Sequence, residues 1–200
     1  MRVENPDLMP VTGVVLAGGK GRRMGGVDKG LQRFRGRTLI DLVLERMRPQ
    51  VMEILLNANQ NRERYEAYGY NVIGDLFSGY AGPLAGLHSA LSAASHDLVL
   101  TVPCDSPFLP MDLAERLETA RRSQSADIAV ARTGRQAHPV FCLVQRKLLP
   151  HLTSFLDDGG RKIDAWYADL NVVEVAFDDQ PEAFTNFNTL DEMLAAERPV

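Results

Sequence analysis

Apolar positions along the chain fall in short runs separated by glycine, proline and charge. Residues 12–16 (TGVVL) form a β-branched run that opens onto a glycine-rich stretch, the pattern of a buried strand feeding a loop. Thr38 can N-cap a helix in which Leu39, Leu42, Val43 and Met47 recur at helical spacing, and Pro49 ends it. Residues 53–57 (EILLN) are the next strand. Asn61 can cap a short helix over 62–68 that Gly69 stops, and residues 71–73 are a brief strand ending at Gly74-Asp75. Pro83 opens a helix to about residue 94, where its missing N–H costs nothing. Residues 98–102 (LVLTV) read as a central strand, 112–122 as a helix and 128–131 as a strand.

This strand–helix alternation predicts a mostly parallel, twisted sheet with helices on both faces, a three-layer αβα, Rossmann-like fold. Beyond Arg132 the pattern loosens: a strand over 140–144, helices over 146–155 and 161–167, a strand over 172–175 and a closing helix over 190–197.

In such sheets ligands bind outside the carboxyl ends of the strands. The chemically loaded residues fall there: residues 18–29 after the first strand, Asn57 after the second, Asp75 after the third and Asp105 after the fourth.

Length and composition set the class. Two hundred residues make one domain, and 45% hydrophobic with 24% charged residues is ordinary for a globular chain. No apolar run approaches the roughly 20 residues of a membrane span, and the N-terminus lacks the pattern of a signal peptide, so the expected compartment is the cytoplasm. Cys104 and Cys142 sit in apolar stretches and read as buried thiols. A net charge of −4 gives no case for nucleic acid or an anionic membrane. Locally the balance reverses. Between residues 20 and 37 stand seven basic side chains against one acid, Asp28, which suits a small anionic ligand.

The stretch LAGGKGRRMGGVDKG at residues 16–30 carries that charge. Its glycines let backbone N–H groups approach phosphate oxygens, and its lysine and arginine residues supply counter-charge. The dinucleotide fingerprint fails here because Met24 stands where its third glycine is required, and no register supplies a Walker motif.

The LAGG…RMGG.DKG string resembles the signature of nucleotidyltransferases that move a nucleoside monophosphate from an NTP to a phosphorylated acceptor. Within that superfamily the chain is similar to the molybdenum cofactor guanylyltransferases. The likeness continues through Asn57-Ala58-Asn59, Gly74-Asp75, residues 82–86 (GPLAG), residues 103–107 (PCDSP), His138-Pro139 and residues 186–189 (NFNT). One departure is Gly21, where many members carry serine.

The resemblance implies a single nucleotidyltransferase domain over residues 1–200, with a nucleotide-binding half over 1–110 and an acceptor half over 111–200. It implies that Leu16, Ala17, Gly18 and Gly19 meet guanine mainly through their backbone. Lys29 and Arg23 hold the triphosphate, Asn57 and Asp75 contact the nucleotide, and Asp105 binds Mg²⁺ and orients the phosphates. Lys29, Arg23 and Asp105 are then the catalytic set, and Asn186, Asn188 and His138 belong to the pterin side. The implied partners are GTP, molybdopterin or the molybdenum cofactor, a molybdenum insertase and molybdoenzyme chaperones. The implied reaction transfers GMP from GTP to the terminal phosphate of molybdopterin.

The residue types suit that chemistry. A phosphate nucleophile is ionised near neutral pH, so the reaction needs alignment and charge neutralisation rather than a general base. There is no G-x-S-x-G elbow, and His88, His96, His138 and His151 are scattered. His88 reads as a packing or surface residue, His96 and His151 as surface. The Asp157-Asp158 and Asp178-Asp179 pairs read as loop charges, and Trp166 as core. Three alternatives stay open: a cytidylyltransferase acting on the same cofactor, whose relatives more often read LAAG; a sugar-1-phosphate nucleotidyltransferase, usually a longer chain; and a non-catalytic nucleotide or pterin binder.

Overall fold

The computed structural model describes residues 9–18, 28–77, 82–187 and 192. Strand β1 (Val11–Leu16) precedes a hairpin of β2 (Arg33–Phe34) and β3 (Arg37–Thr38), then α1 (Leu39–Met47), β4 (Glu53–Asn57) and α2 (Arg62–Glu66). Next come β5 (Asn71–Ile73), α3 (Pro83–Ala93), β6 (Leu98–Pro103) and α4 (Leu113–Ser123). The chain continues through β7 (Ile128–Thr133), β8 (Gln136–Gln145), α5 (Leu149–Asp157), α6 (Ile163–Tyr167) and β9 (Val172–Ala176).

Seven strands form one sheet in the order β5-β4-β1-β6-β8-β7-β9, and all its pairings are parallel except those of β8. The alternation of side chains along each strand feeds two cores. Val11, Val15, Leu56 and Val102 pack under α1, α2 and α4, while Val14, Leu55, Val99 and Val144 pack under α3, α5 and α6. Each such side chain, fully buried, contributes roughly 1.5–3 kcal/mol. The mostly parallel αβα fold is therefore present.

Register makes the site. Leu16 is paired with Asn57 on one side and Pro103 on the other, and Asn57 with Ile73. Four strands thus end in one row. The chain leaves β1 toward β4 and β5, then returns to its other side as β6, so the crevice of a strand-order reversal opens at β1.

Several local expectations hold in detail. Thr38 caps α1 through a capping box: its hydroxyl accepts from the Asp41 N–H, and Asp41 accepts from the Thr38 N–H. Trp166 is core, and its Nε1 donates to His151 Nδ1 at 2.9 Å. Asp178 accepts from the Gly134 N–H at 2.6 Å and Asp179 pairs with Arg116 at 2.9 Å, structural tasks for loop charges.

Others change. Strand β8 starts at Gln136 because it pairs with β7 in a long hairpin, four residues before the apolar run begins. The β2–β3 hairpin has no hydrophobic alternation to announce it; its turn shows only in Arg35 and Gly36, both with positive φ. Asn61 occupies the N-cap position of α2 in a left-handed conformation, and its side chain does not cap. The closing helix over 190–197 lies outside the described residues. Among the described residues no helix is long and apolar enough to cross a membrane.

Candidate active site

The row of strand ends carries a web of side-chain hydrogen bonds. Asn57 is buried, and its Nδ2 donates to Asp75 Oδ1 at 2.9 Å. Asn59 Nδ2 donates to Asp75 Oδ2 at 2.7 Å and lies 3.3 Å from the Gly18 carbonyl oxygen, which also accepts from it. Asn59 Oδ1 in turn accepts from the Asp75 N–H at 2.8 Å. The ends of β1, β4 and β5 are therefore tied to one another by amides and a carboxylate.

Two glycines make room for this web. A Cβ on Gly86 would sit 2.6 Å from Asn57 Oδ1, and one on Gly18 would sit 2.8 Å from Asn59 Nδ2. The Asn57 amide is wedged between the end of β1 and the first turn of α3. Helix α3 also steadies the next loop, because Ser89 Oγ accepts from the Leu76 N–H at 2.8 Å.

On the other side of β1, the end of β6 presents Asp105. It is 8% exposed, and its Oδ2 accepts from Lys29 Nζ at 3.0 Å. Lys29 begins a single 3-10 turn over Lys29–Leu31. The pair places a lysine ammonium and a carboxylate, both largely buried, at the switch point where β1 and β6 end. Preceding them, Cys104 is buried, and burial pushes its thiol far above the usual range, so it supplies no thiolate.

Asp28 stands one residue before Lys29. Its Oδ1 accepts from Tyr65 Oη at 2.5 Å and its Oδ2 from Asn61 Nδ2 at 2.9 Å. Tyr65 is fully buried, and burial with the nearby Asp28 charge raises its pKa, so the phenol remains a donor. Gly30 is packed against the same phenol: a Cβ there would lie 2.6 Å from Tyr65 Oη.

The acceptor-side candidates reach the same edge from the far end of the chain. The Phe187 N–H donates to the Asp105 carbonyl oxygen at 3.0 Å, and Ser106 Oγ donates to Asn186 Oδ1. Asn186 is thus brought beside Asp105. Phe187 packs with Phe34 and Phe108. His138 enters on β8, whose antiparallel direction puts its first residues at the edge where β6 ends. Its ring stacks on Phe184 with centroids 4.6 Å apart, its Nε2 is 2.8 Å from Thr133 Oγ1, and desolvation holds its pKa below the usual value. His138 stacks on Phe184, in the segment that carries Asn186.

Leu16, Ala17, Gly18, Lys29, Asn57, Asp75 and Asp105 are accordingly gathered along one sheet edge, with Asn186 beside Asp105. Gly19, Arg23 and Asn188 lie outside the described residues. Sequence reasoning assigned no role to Asp28, Asn59, Tyr65 or Ser106. Asp28 did leave a trace, as the one acid among seven bases, and Asn59 as the residue two positions beyond Asn57.

Residues 13–172 match the model of a family described as the MobA-like NTP transferase domain. A Shewanella putrefaciens protein named molybdenum cofactor guanylyltransferase is 50% identical over 182 residues, spanning 91% of this chain and 93% of its own. A protein of the same name from Ralstonia nicotianae is 49% identical over 192 residues, spanning 92% and 94%. The crystal structure of molybdopterin-guanine dinucleotide biosynthesis protein A from Archaeoglobus fulgidus superposes with a TM-score of 0.77 at 26% identity, covering 93% of this chain and 96% of that one.

Proposed function

The chain belongs to the MobA-like NTP transferase family, and from that premise we propose that it transfers GMP from GTP to the terminal phosphate of molybdopterin. Pyrophosphate leaves, and the product is the molybdopterin guanine dinucleotide form of the cofactor. The chain is an enzyme, a nucleotidyltransferase. The observation that carries the reading is the Lys29–Asp105 pair at the β1–β6 crevice, in a chain half identical to named guanylyltransferases.

The crevice has the parts this displacement asks for. Lys29 neutralises triphosphate oxygens, together with Arg23 of the same glycine-rich stretch of sequence. Leu16, Ala17, Gly18 and Gly19 offer backbone groups to the base. Asn57 and Asp75 hold the nucleoside, and their own hydrogen bonds with each other and with Asn59 fix their side chains in place. Residues 1–110 are then the nucleotide half. Residues 111–200 are the acceptor half, where Asn186, Asn188 and His138 border the pterin.

A divalent cation fits the donor set, and we assign it as Mg²⁺. Among the described residues no three acidic, histidine or cysteine side chains converge; Asp105 is the carboxylate where β1 and β6 end, while both oxygens of Asp75 are taken up by Asn57 and Asn59. Mg²⁺ is typically held by one or two carboxylates together with substrate phosphates. Asp105 would hold it, and the ion would supply charge neutralisation between the two phosphate groups. Lys29, released from Asp105, would turn to the phosphates. The reading places the reaction in the cytoplasm, with its nucleotide substrate.

The test is pyrophosphate release from the purified chain with molybdopterin, Mg²⁺ and either GTP or CTP. Turnover with a kcat/KM favouring GTP is expected. A preference for CTP would make the chain a cytidylyltransferase, and binding without pyrophosphate release would remove the enzymatic assignment.

A further inference from the structure

The Asp28 carboxylate is the one acid among the seven basic side chains of residues 20–37. Both of its oxygens are engaged, by the Tyr65 phenol at 2.5 Å and the Asn61 amide at 2.9 Å. Two forgone alternatives make this arrangement informative. Asp28 flanks the 3-10 turn over Lys29–Leu31 and does not cap it with its side chain. Asn61 flanks α2 and does not cap that helix either, although asparagine is among the best N-caps. Asn61 adopts φ 50°, the left-handed conformation that asparagine tolerates better than most non-glycine residues, and this aims its amide at Asp28 rather than at its own helix. Two residues that would ordinarily cap their own helices are turned to each other instead. The third partner, Tyr65, is fully buried, and Gly30 lies directly against its hydroxyl.

We propose that Tyr65 and Asn61 are positioning residues for nucleotidyl transfer: they latch Asp28 to α2 and so fix the backbone from which Lys29 reaches the crevice. The inference rests on the nucleotidyltransferase reading of Lys29. In it Asp28 is an anchor and ligates neither metal nor substrate. Helix α2 lies outside the signature motifs but sets where the signature lysine stands.

Four variants test it: Tyr65→Phe, Asn61→Ala, Asp28→Ala and Asp28→Asn. Two readouts are taken, steady-state kinetics and the rate at which acetic anhydride labels Lys29, followed by mass spectrometry. Removing one hydrogen bond to a carboxylate is expected to lower kcat/KM about tenfold in Tyr65→Phe and Asn61→Ala. Lys29 should label several-fold faster in both, and Asp28→Ala should behave at least as badly. Asp28→Asn discriminates. Its Oδ1 still accepts from Tyr65, and a flipped Asn61 amide can accept from its Nδ2, so an anchor survives the change and both readouts stay near wild type. A metal ligand would not survive it; a sharp fall in kcat with a raised Mg²⁺ midpoint in Asp28→Asn would overturn the proposal. So would wild-type kinetics and labelling in both Tyr65→Phe and Asn61→Ala. If the wild-type chain releases no pyrophosphate, the functional reading fails, and the labelling rates alone still decide whether the latch holds Lys29.

Discussion

The two halves of the sheet end differently. Where β5, β4, β1 and β6 stop, the exposed edge is built from hydrogen bonds between side chains: Asn57 and Asn59 on Asp75, Asn61 and Tyr65 on Asp28, Lys29 on Asp105. Where β8, β7 and β9 meet the same edge, it is built from rings. His138 stacks on Phe184, Phe184 packs edge-on against Phe141 and Phe177, and Arg116 lies over Phe177 at 3.9 Å. Hydrogen bonds have direction and fix atoms to within tenths of an ångström; ring packing fixes a surface and tolerates its neighbours. The first edge suits a ligand whose reacting phosphorus must be placed. The second, with Phe141, Phe177 and Phe184 buried, is a packed support for the residues that border it.

This contrast breaks most sharply at the Lys29–Asp105 pair. Asp105→Asn keeps shape and some hydrogen bonding but removes the charge. We expect kcat to fall on the order of a hundredfold to a thousandfold, the range for a lost charge-stabilising group. The melting temperature should barely move. Lys29→Ala should fall in the same range and remain folded. Initial rates titrated with Mg²⁺ and a melting curve on the same preparation decide. Normal rates with an unchanged Mg²⁺ midpoint in Asp105→Asn would make that residue only a structural turn before Pro107.

The ring-built edge should respond in the opposite sense. Phe184 is buried among His138, Phe141 and Phe177, and Phe184→Ala empties that space. A loss of ~3 kcal/mol in urea unfolding is expected. In the surviving folded enzyme the KM for molybdopterin should rise, because residues 184–187 carry Asn186 to Ser106, while GTP affinity stays put. Weakened GTP binding with an unchanged acceptor KM would reverse the assignment of the two edges.

The same contrast explains what the sequence let one read. Strands β4 and β6 are mostly apolar runs with a polar residue at or just beyond the stop, and β5 runs into Gly74-Asp75, so Asn57, Asp75 and Asp105 are legible as strand-end residues. Helix α1 declared itself through Thr38 and the spacing of its leucines. The supports of those residues did not. Tyr65 lies within a short helix whose pattern assigns it no role, and its bond to Asp28 spans 37 positions of the chain. Asn61 read as a cap because local rules govern caps, and a tertiary partner overrode them. The ring-built edge is the least legible: Phe184 and His138 are 46 positions apart, and neither sits in an apolar pattern that demands the other. The insertion of β8 between β6 and β7 has the same cause, since pairing partners in a sheet are set by the whole topology.

A smaller effect sharpens the polar edge itself. Asn59 is exposed, so its removal should leave stability nearly intact. It nevertheless joins the Gly18 carbonyl to Asp75. Asn59→Ala should weaken GTP binding about tenfold, the equivalent of one charge-assisted hydrogen bond. Calorimetric titration with GTP measures it, and an unchanged affinity would show that Gly18 and Asp75 hold their places without the link.

The smallest expected effect concerns how α3 backs this edge. His88 lies on α3, 8% exposed, with Phe77 packed edge-on at 4.7 Å in the loop that follows Asp75. Its Nε2 is 3.0 Å from Thr153 Oγ1, and that hydroxyl donates to the Leu149 carbonyl at 2.8 Å. With its own proton committed, Thr153 accepts, so His88 carries its hydrogen on Nε2. Nδ1 is then a bare, buried nitrogen with no hydrogen-bond partner among the described residues. Burial lowers the His88 pKa, and the Asp157 charge opposes that only in part. The sign follows. The unfolded chain takes up a proton near pH 6.5, while the folded chain resists it because a proton on Nδ1 would find no acceptor. Stability is therefore fully present above about pH 6.5 and is lost as pH falls from there toward the folded pKa. Carboxylates titrate lower, which leaves the window from pH 7 to 5.5 to histidines. Urea unfolding across it should show a decline of about 1 kcal/mol or less, bounded by the ~1.4 kcal/mol per pH unit that one proton permits. His88→Gln keeps a donor for Thr153 and removes the titration, so its stability should be flat by comparison. A variant that declines as steeply as the wild type would shift the cause to His138, the other histidine whose burial holds its pKa down, and would leave α3 a support of the nucleotide edge that does not sense pH.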